Sequence, residues 1–209
     1  MQAKQVSEAF GEEFKPTLQE AMISYLKKFG ANEVKYINDS NRDAIRQTLV
    51  SSAEKDISIS RTANSIKSFI GLSPDQAASL QQYGADLYAE NLPDKAVWQL
   101  MEVRGEEMLK ARATLIATEE TMDASQHASY DVVVDAVDQG LIDPSKQVEV
   151  WVTVPDDGHI CADCLEASGS ERELSDGNFE ATGTPYPHDM HIGCRCSAML
   201  RDRSISWYK

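Results

Sequence analysis

All four cysteines of this 209-residue chain fall between positions 161 and 196, as Cys161-x-x-Cys164 and Cys194-x-Cys196. Three of its four histidines, His159, His188 and His191, lie in or beside the same window. A Cys-x-x-Cys on a tight turn brings two thiolates to one tetrahedral ion at about 2.3 Å, and a second ligand pair distant in sequence closes the site. The second pair would come from the run His191-Ile192-Gly193-Cys194-Arg195-Cys196. Cys161, Cys164, His191, Cys194 and Cys196 are thus five candidates for four places. The spacing predicts zinc on Cys161, Cys164 and two of the other three, His191 and one cysteine being favoured for reach. Such a centre is closed and structural, and its binding free energy is folding free energy.

Other chemistries of the same residues stay open. Two disulfides would suit an oxidising compartment, and a thioredoxin-like pair would need a lowered thiol pKa, which the acidic turn Pro155-Asp156-Asp157-Gly158 before Cys161 opposes. Unliganded thiols are the remaining alternative. A zinc deaminase needs His-x-Glu and Pro-Cys-x-x-Cys, but His127 is followed by Ala128-Ser129 and Cys161 is preceded by Ile160. No Gly-rich phosphate loop and no nucleophile-elbow serine is present. His188-Asp189-Met190-His191 beside a zinc knuckle leaves a metal-dependent nuclease as an alternative function. His127 is expected on a helix surface, and His159 and His188 in loops or behind the ligands.

The elements that must position this cluster are legible from periodicity. Pro16 starts a helical pattern that runs through Leu18, Met22, Tyr25, Leu26 and Phe29 to Gly30. A second begins at Ser40 with Asp43 as a weak capping partner, and a third spans Ser60 to Gly71. Ser73-Pro74-Asp75-Gln76 combines a cap, a first-turn proline and a capping-box glutamine. From Pro93 to about Gln139 the chain is continuously helix-compatible, but Gly105 and the β-branched Val132-Val133-Val134 predict two helices with a break rather than one. Gly140 is a C-terminal cap.

After Asp143-Pro144 the hydrophobic period changes from helical to two. Val148, Val150, Val152 and Val154 predict a strand with a buried valine face and Trp151 on the other face. Residues 167–187 read as a long loop, and Cys194–Leu200 as a second strand able to pair with the first. The expected fold class is α+β, a mainly helical N-terminal half followed by a small zinc-stapled module. The segments are 1–58, 59–140 and 141–209.

Charge narrows the partners. The net charge is −14, and residues 121–200 hold 15 acidic against 3 basic side chains, whereas residues 1–120 hold 18 against 14. A field of that sign repels phosphate, so a broad nucleic-acid face on the C-terminal half is not expected. The tail is the exception, since Arg201, Arg203 and Lys209 could touch DNA or an acidic partner. The first residues carry acids where a signal peptide needs an apolar run, and no stretch approaches the ~20 apolar residues of a membrane span. A soluble protein, not exported by the Sec route, is expected.

The order RATLIATEET, VWVTVPDDGHICADCLEASG and PYPHDMHIGCRC resembles the head morphogenesis family of tailed bacteriophages, typified by protein F of phage Mu. The matching positions are Arg112, Ala113, Ile116, Ala117, Glu120, Thr121, Trp151, Asp156, Cys161, Cys164, Gly169, His191, Cys194, Arg195 and Cys196. The likeness spans about residues 60–200. It departs at Thr118-Glu119, where the family has Arg-Thr, and at Ile192, where it has proline. The resemblance implies a minor capsid protein, inside the head and bound to the portal, acting in head assembly or in the fate of packaged DNA. It also implies a virion location, with host cytoplasm during assembly, and no enzymatic activity.

Overall fold

In the computed structural model, residues 14–153, 160–174 and 177–204 are described. The sequence-predicted turn 155–158, with Asp156, lies outside them, as do His159 and Lys209. Helices α1 (Phe14–Phe29), α2 (Asp39–Glu54), α3 (Ile59–Ile66), α4 (Pro74–Ala89) and α5 (Asp94–Asp138) come first. Then follow β1 (Gln147–Val152), the short α6 (Ala162–Ala167), β2 (Glu171–Arg172) and β3 (Ser197–Asp202), with 3-10 turns at Lys67–Phe69 and Pro187–Met190. The fold is α+β, and among the described residues strand begins where the hydrophobic period changes. None of these helices is long and apolar enough to cross a membrane. Two compact units are formed, one from Met1–Tyr25 with Thr121–Lys209 and the other from Leu26–Glu120. The sequence segments 1–58, 59–140 and 141–209 follow changes of pattern, whereas these units follow packing.

Within the Leu26–Glu120 unit, local signals set the helix ends. Ser73 Oγ accepts from the Gln76 N–H and the Gln76 side chain accepts from the Ser73 N–H, which is the capping box that the sequence predicts. The start of α2 is corrected: Asn38, not Ser40, is the cap, its side chain accepting from the Asn41 N–H at 2.8 Å. Gly84 lets α4 approach α5, since a Cβ there would stand 2.6 Å from Met101 Sδ. Two residues of the resemblance motif clamp loops here. Arg112 donates to the Gly71 carbonyl and, at 2.6 Å, to that of Lys35. Glu120 accepts from the N–H of Ala31 at 2.7 Å, at a residue whose φ is +63°.

The expected break between Pro93 and Gln139 does not occur, and α5 is continuous over 45 residues. One helical glycine costs only about 1 kcal/mol, and Gly105 stands where Leu80 packs closely. Val132 and Val133 are buried in apolar clusters, the first with Leu18 and Ala128, the second with Ala136, Ile142 and Leu174. Burial of that order offsets the small helix penalty of β-branching. The helix stops at Gly140 as predicted: at φ +71° its N–H donates to the Val137 carbonyl, and that of Leu141 donates to the Ala136 carbonyl.

The sheet has the order β2-β1-β3, antiparallel throughout, with Val150 opposite Met199 and Glu149 opposite Arg172. Pairing of the last strand with the first agrees with the sequence. So does the buried valine face of β1, with Trp151 on the opposite face. Val148 and Val150 are buried, but so are Glu149 and Trp151 on the other face. The cover is Arg172 and Phe179, both from the stretch expected to be a loop, which instead supplies β2 and the buried anchors Leu174, Phe179 and Pro187.

Arg172 is the reason a carboxylate can sit there. Its guanidinium pairs with Glu149 Oε2 at 2.5 and 2.6 Å, donates to the Pro185 carbonyl, and lies 4.6, 5.1 and 5.2 Å from the rings of Tyr130, Phe179 and Tyr186. Burial pushes the Glu149 carboxyl up, and the charge and hydrogen bond of Arg172 pull against it. Breaking a buried pair by removing one partner costs about 3–5 kcal/mol, because the other charge is stranded. Arg172→Met should therefore lower stability by about that amount in urea unfolding, and Glu149→Leu with Arg172→Met should recover much of it. A single substitution costing under about 1 kcal/mol would mean that water reaches the pair.

Candidate metal centre

Cys161 caps α6, its Sγ accepting from the Cys164 N–H at 3.2 Å, so the first knuckle is a helix start. The second is a reverse turn in which the Cys194 N–H donates to the His191 carbonyl at 3.1 Å. Gly193 supplies the positive φ, +84°, that a type II turn requires at its third position. Ile192 occupies the second position, where proline is favoured but not needed, and is left 77 % exposed.

These turns bring all five sequence-predicted residues together, in two overlapping groups: Cys161, Cys164 and His191, and Cys164, Cys194 and Cys196. His191 Nε2 is 3.1 Å from both Cys161 Sγ and Cys164 Sγ, and Cys164 Sγ is 3.7 Å from Cys194 Sγ. Four ligands at about 2.3 Å from one ion stand about 3.8 Å apart, so these separations are close to the edges of a coordination tetrahedron. A disulfide would need about 2.05 Å, and all four cysteines are free. His191 Nδ1 is held by the Ile192 carbonyl at 3.0 Å, which turns Nε2 and its lone pair to the thiols. The Cys/His cluster could hold a metal ion.

The thiols differ in acidity. Interaction with Cys194, with further help from Cys164, holds Cys196 down at about 6. The Cys164 backbone N–H lowers Cys161, whereas burial pushes Cys164 up to about 12 and its bond to Cys196 raises Cys194. Each knuckle therefore presents one thiol ready to ionise and one that would release its proton to a metal. The apolar wall consists of Trp151, Ala167 and Phe179.

A second group was not assembled by sequence reasoning. Asp123 and His127, four residues apart on α5, converge with His188 from the 3-10 turn. His188 Nε2 is 2.6 Å from Asp123 Oδ1, and its Nδ1 is 3.1 Å from Gln126 Oε1. Gln126, 3 % exposed, also donates to the Cys196 carbonyl at 2.9 Å. His127 is not a free surface residue as expected: it stacks on Tyr25 at 4.4 Å and packs on Tyr186 at 4.1 Å. The available signal was the Asp-x-x-x-His spacing, which puts both side chains on one helix face. In the basic tail, Arg201 pairs with Glu171 and Arg203 with Glu173.

No protein-family model matches this chain, and no match was found among curated proteins or solved structures.

Burial pushes the Asp123 carboxyl up, but the hydrogen bonds from His188 and Tyr25 and the charges of His188 and His127 outweigh it and leave the group below its usual value. A carboxyl lowered by folding stabilises fully above its unfolded value, about pH 4, and less as pH falls through the folded one. In metal-free protein, the stability difference between wild type and Asp123→Asn should therefore shrink as pH drops from 6 to about 2.5. Urea midpoints at several pH values measure it, and a constant difference would show that Asp123 acts through packing alone.

Proposed function

We propose that this chain is a minor head protein of a tailed bacteriophage, resident inside the capsid and bound to the portal, with zinc at the Cys/His knuckles as a folding staple and no catalytic role. The observation that carries this reading is that both halves of the resemblance motif, Cys161/Cys164 and His191/Cys194/Cys196, meet in two ligand groups that share Cys164, with His191 Nε2 equidistant from the first two thiols. Sulfur-rich donor sets with one imidazole select zinc among common intracellular ions, and a full protein shell is the mark of a structural site.

Protein contact falls to the Leu26–Glu120 unit. It exposes Trp98, Val103, Tyr36 and Tyr88, the first at 65 %, which is apolar area that a protein partner could bury. The acidic residues 121–200 disfavour DNA, and Arg201 and Arg203 are already paired with acids. The alternative function, a hydrolase acting through His188, Asp189 or His191, needs an open coordination position. His191 faces the cysteines instead, which argues against it at this centre.

The zinc part predicts about one thiol-bound zinc per purified chain, lost in Cys164→Ser because Cys164 belongs to both ligand groups. Zinc content unchanged in that variant would refute the assignment. The partner part predicts that the full chain copurifies with the portal ring of the same phage, and that Trp98→Asp with Val103→Asp weakens capture at least about tenfold, the loss of one buried hot spot. Undiminished capture by the double variant would place the contact elsewhere, and no capture by wild type would overturn the portal role.

A further inference from the structure

The chain has a second convergence of potential ligands, chemically unlike the first. Asp123 Oδ1 stands 3.4 Å from His127 Nε2 and 2.6 Å from His188 Nε2, which is itself 3.2 Å from Asp189 Oδ1. Nitrogen and carboxylate oxygen meet there without sulfur. Every one of these residues belongs to the unit formed by Met1–Tyr25 and Thr121–Lys209.

What singles the group out is how its outward atoms are held. His188 Nδ1 faces Gln126 Oε1, and the Gln126 amide is oriented because its Nε2 donates to the Cys196 carbonyl. The acceptor therefore faces Nδ1, so Nδ1 carries a proton and Nε2 is the atom presented to the centre. Tyr25 Oη donates to Asp123 Oδ2 at 2.8 Å, leaving Oδ1 as the inward oxygen. His127 is held between Tyr25, on which it stacks, and the tilted ring of Tyr186. Outer hydrogen bonds that aim imidazoles and carboxylates at one point are the supporting shell of metal sites. Polar side chains held in this way at a partly buried position need an opposite charge or an ion to justify their desolvation.

We propose that Asp123, His127 and His188 form a separate binding site for an exchangeable divalent transition ion. Two imidazoles with one carboxylate suit borderline ions such as Mn2+, Fe2+, Co2+ or Zn2+, and three protein ligands leave room for waters or an exogenous anion in a six-coordinate ion. Ligands at about 2.1 Å in an octahedron lie about 3 Å apart, so Asp123 and His188 part by about half an ångström to admit it. Gln126 is the positioning residue, and through the Cys196 carbonyl it links this site to the cysteine knuckle.

The test uses the full chain with its thiols first filled by one equivalent of zinc, then dialysed against Co2+. The expected result is one further Co2+ per chain with no thiolate-to-cobalt charge-transfer band, because no sulfur is within the donor set. His127→Gln and Asp123→Asn should each weaken that binding by at least tenfold with the zinc content unchanged in both, and Gln126→Ala by about 10- to 100-fold as expected for a supporting residue. Retained zinc shows that the module is folded in both ligand variants. Absence of that Co2+, an undiminished affinity in both ligand variants, or a charge-transfer band on the bound Co2+ would each overturn the proposal. Failure of the knuckle as a zinc site has its own signature: no zinc at loading, and a first Co2+ that lacks the band.

Discussion

The unit that carries both ligand clusters is organised around one buried ion pair. Glu149 on the central strand and Arg172 on its neighbour are 3 % and 5 % exposed, and neither charge could be there without the other. The guanidinium is planar and delocalised, so it can fill the hydrogen-bonding needs of the carboxylate and a carbonyl in its plane while aromatic rings pack near it. Tyr130 comes from the long helix, Phe179 and Tyr186 from the connection between β2 and β3. One side chain thereby ties helix, sheet and a stretch poor in regular structure into a single core.

From that pair the metal-ligand geometry follows in short steps. Phe179, held near Arg172, meets Trp151 edge-on with ring centroids 5.3 Å apart, and Trp151 forms the wall on which Cys164, Cys194 and Cys196 are buried. Tyr186, held by the same guanidinium, leads directly into Pro187–Met190 and hence to His188 and His191. Antiparallel pairing of β3 with β1 then places the Cys194-Arg195-Cys196 run beside the end of β1, with Ser197 opposite Val152. The first knuckle is held at the same end of the sheet by Trp151, whose N–H donates to the Ser170 carbonyl and whose carbonyl accepts from the Gly169 N–H.

The motif residues upstream of the cysteines have a different task. Arg112 and Glu120 reach backbone groups of the loops at Gly71, Lys35 and Ala31, so within the Leu26–Glu120 unit they clamp loops. Residues grouped by a sequence pattern therefore divide between two physical jobs. One set satisfies backbone polar groups that the helices leave open, and the other converges on a potential ion.

The sequence by itself determined whatever depends on near neighbours. The capping box at Ser73, the Gly140 stop, the change from helical to alternating period near Asp143 and the knuckle spacings of the cysteines all act within a few residues, where local geometry dominates. Only the tertiary structure decided what covers β1, since the alternation sorts residues between two faces but does not record that Arg172, twenty-three residues on, supplies the counter-charge of Glu149. The same holds for α5, where local penalties at Gly105 and Val132–Val134 predicted a break that packing against Leu80, Leu18 and Leu174 overrides. Asp123, Gln126 and His127 were readable as one helix face, but their partner His188 arrives from about sixty residues away. Such contacts are set by which surfaces the chain buries together, and no local pattern records that choice.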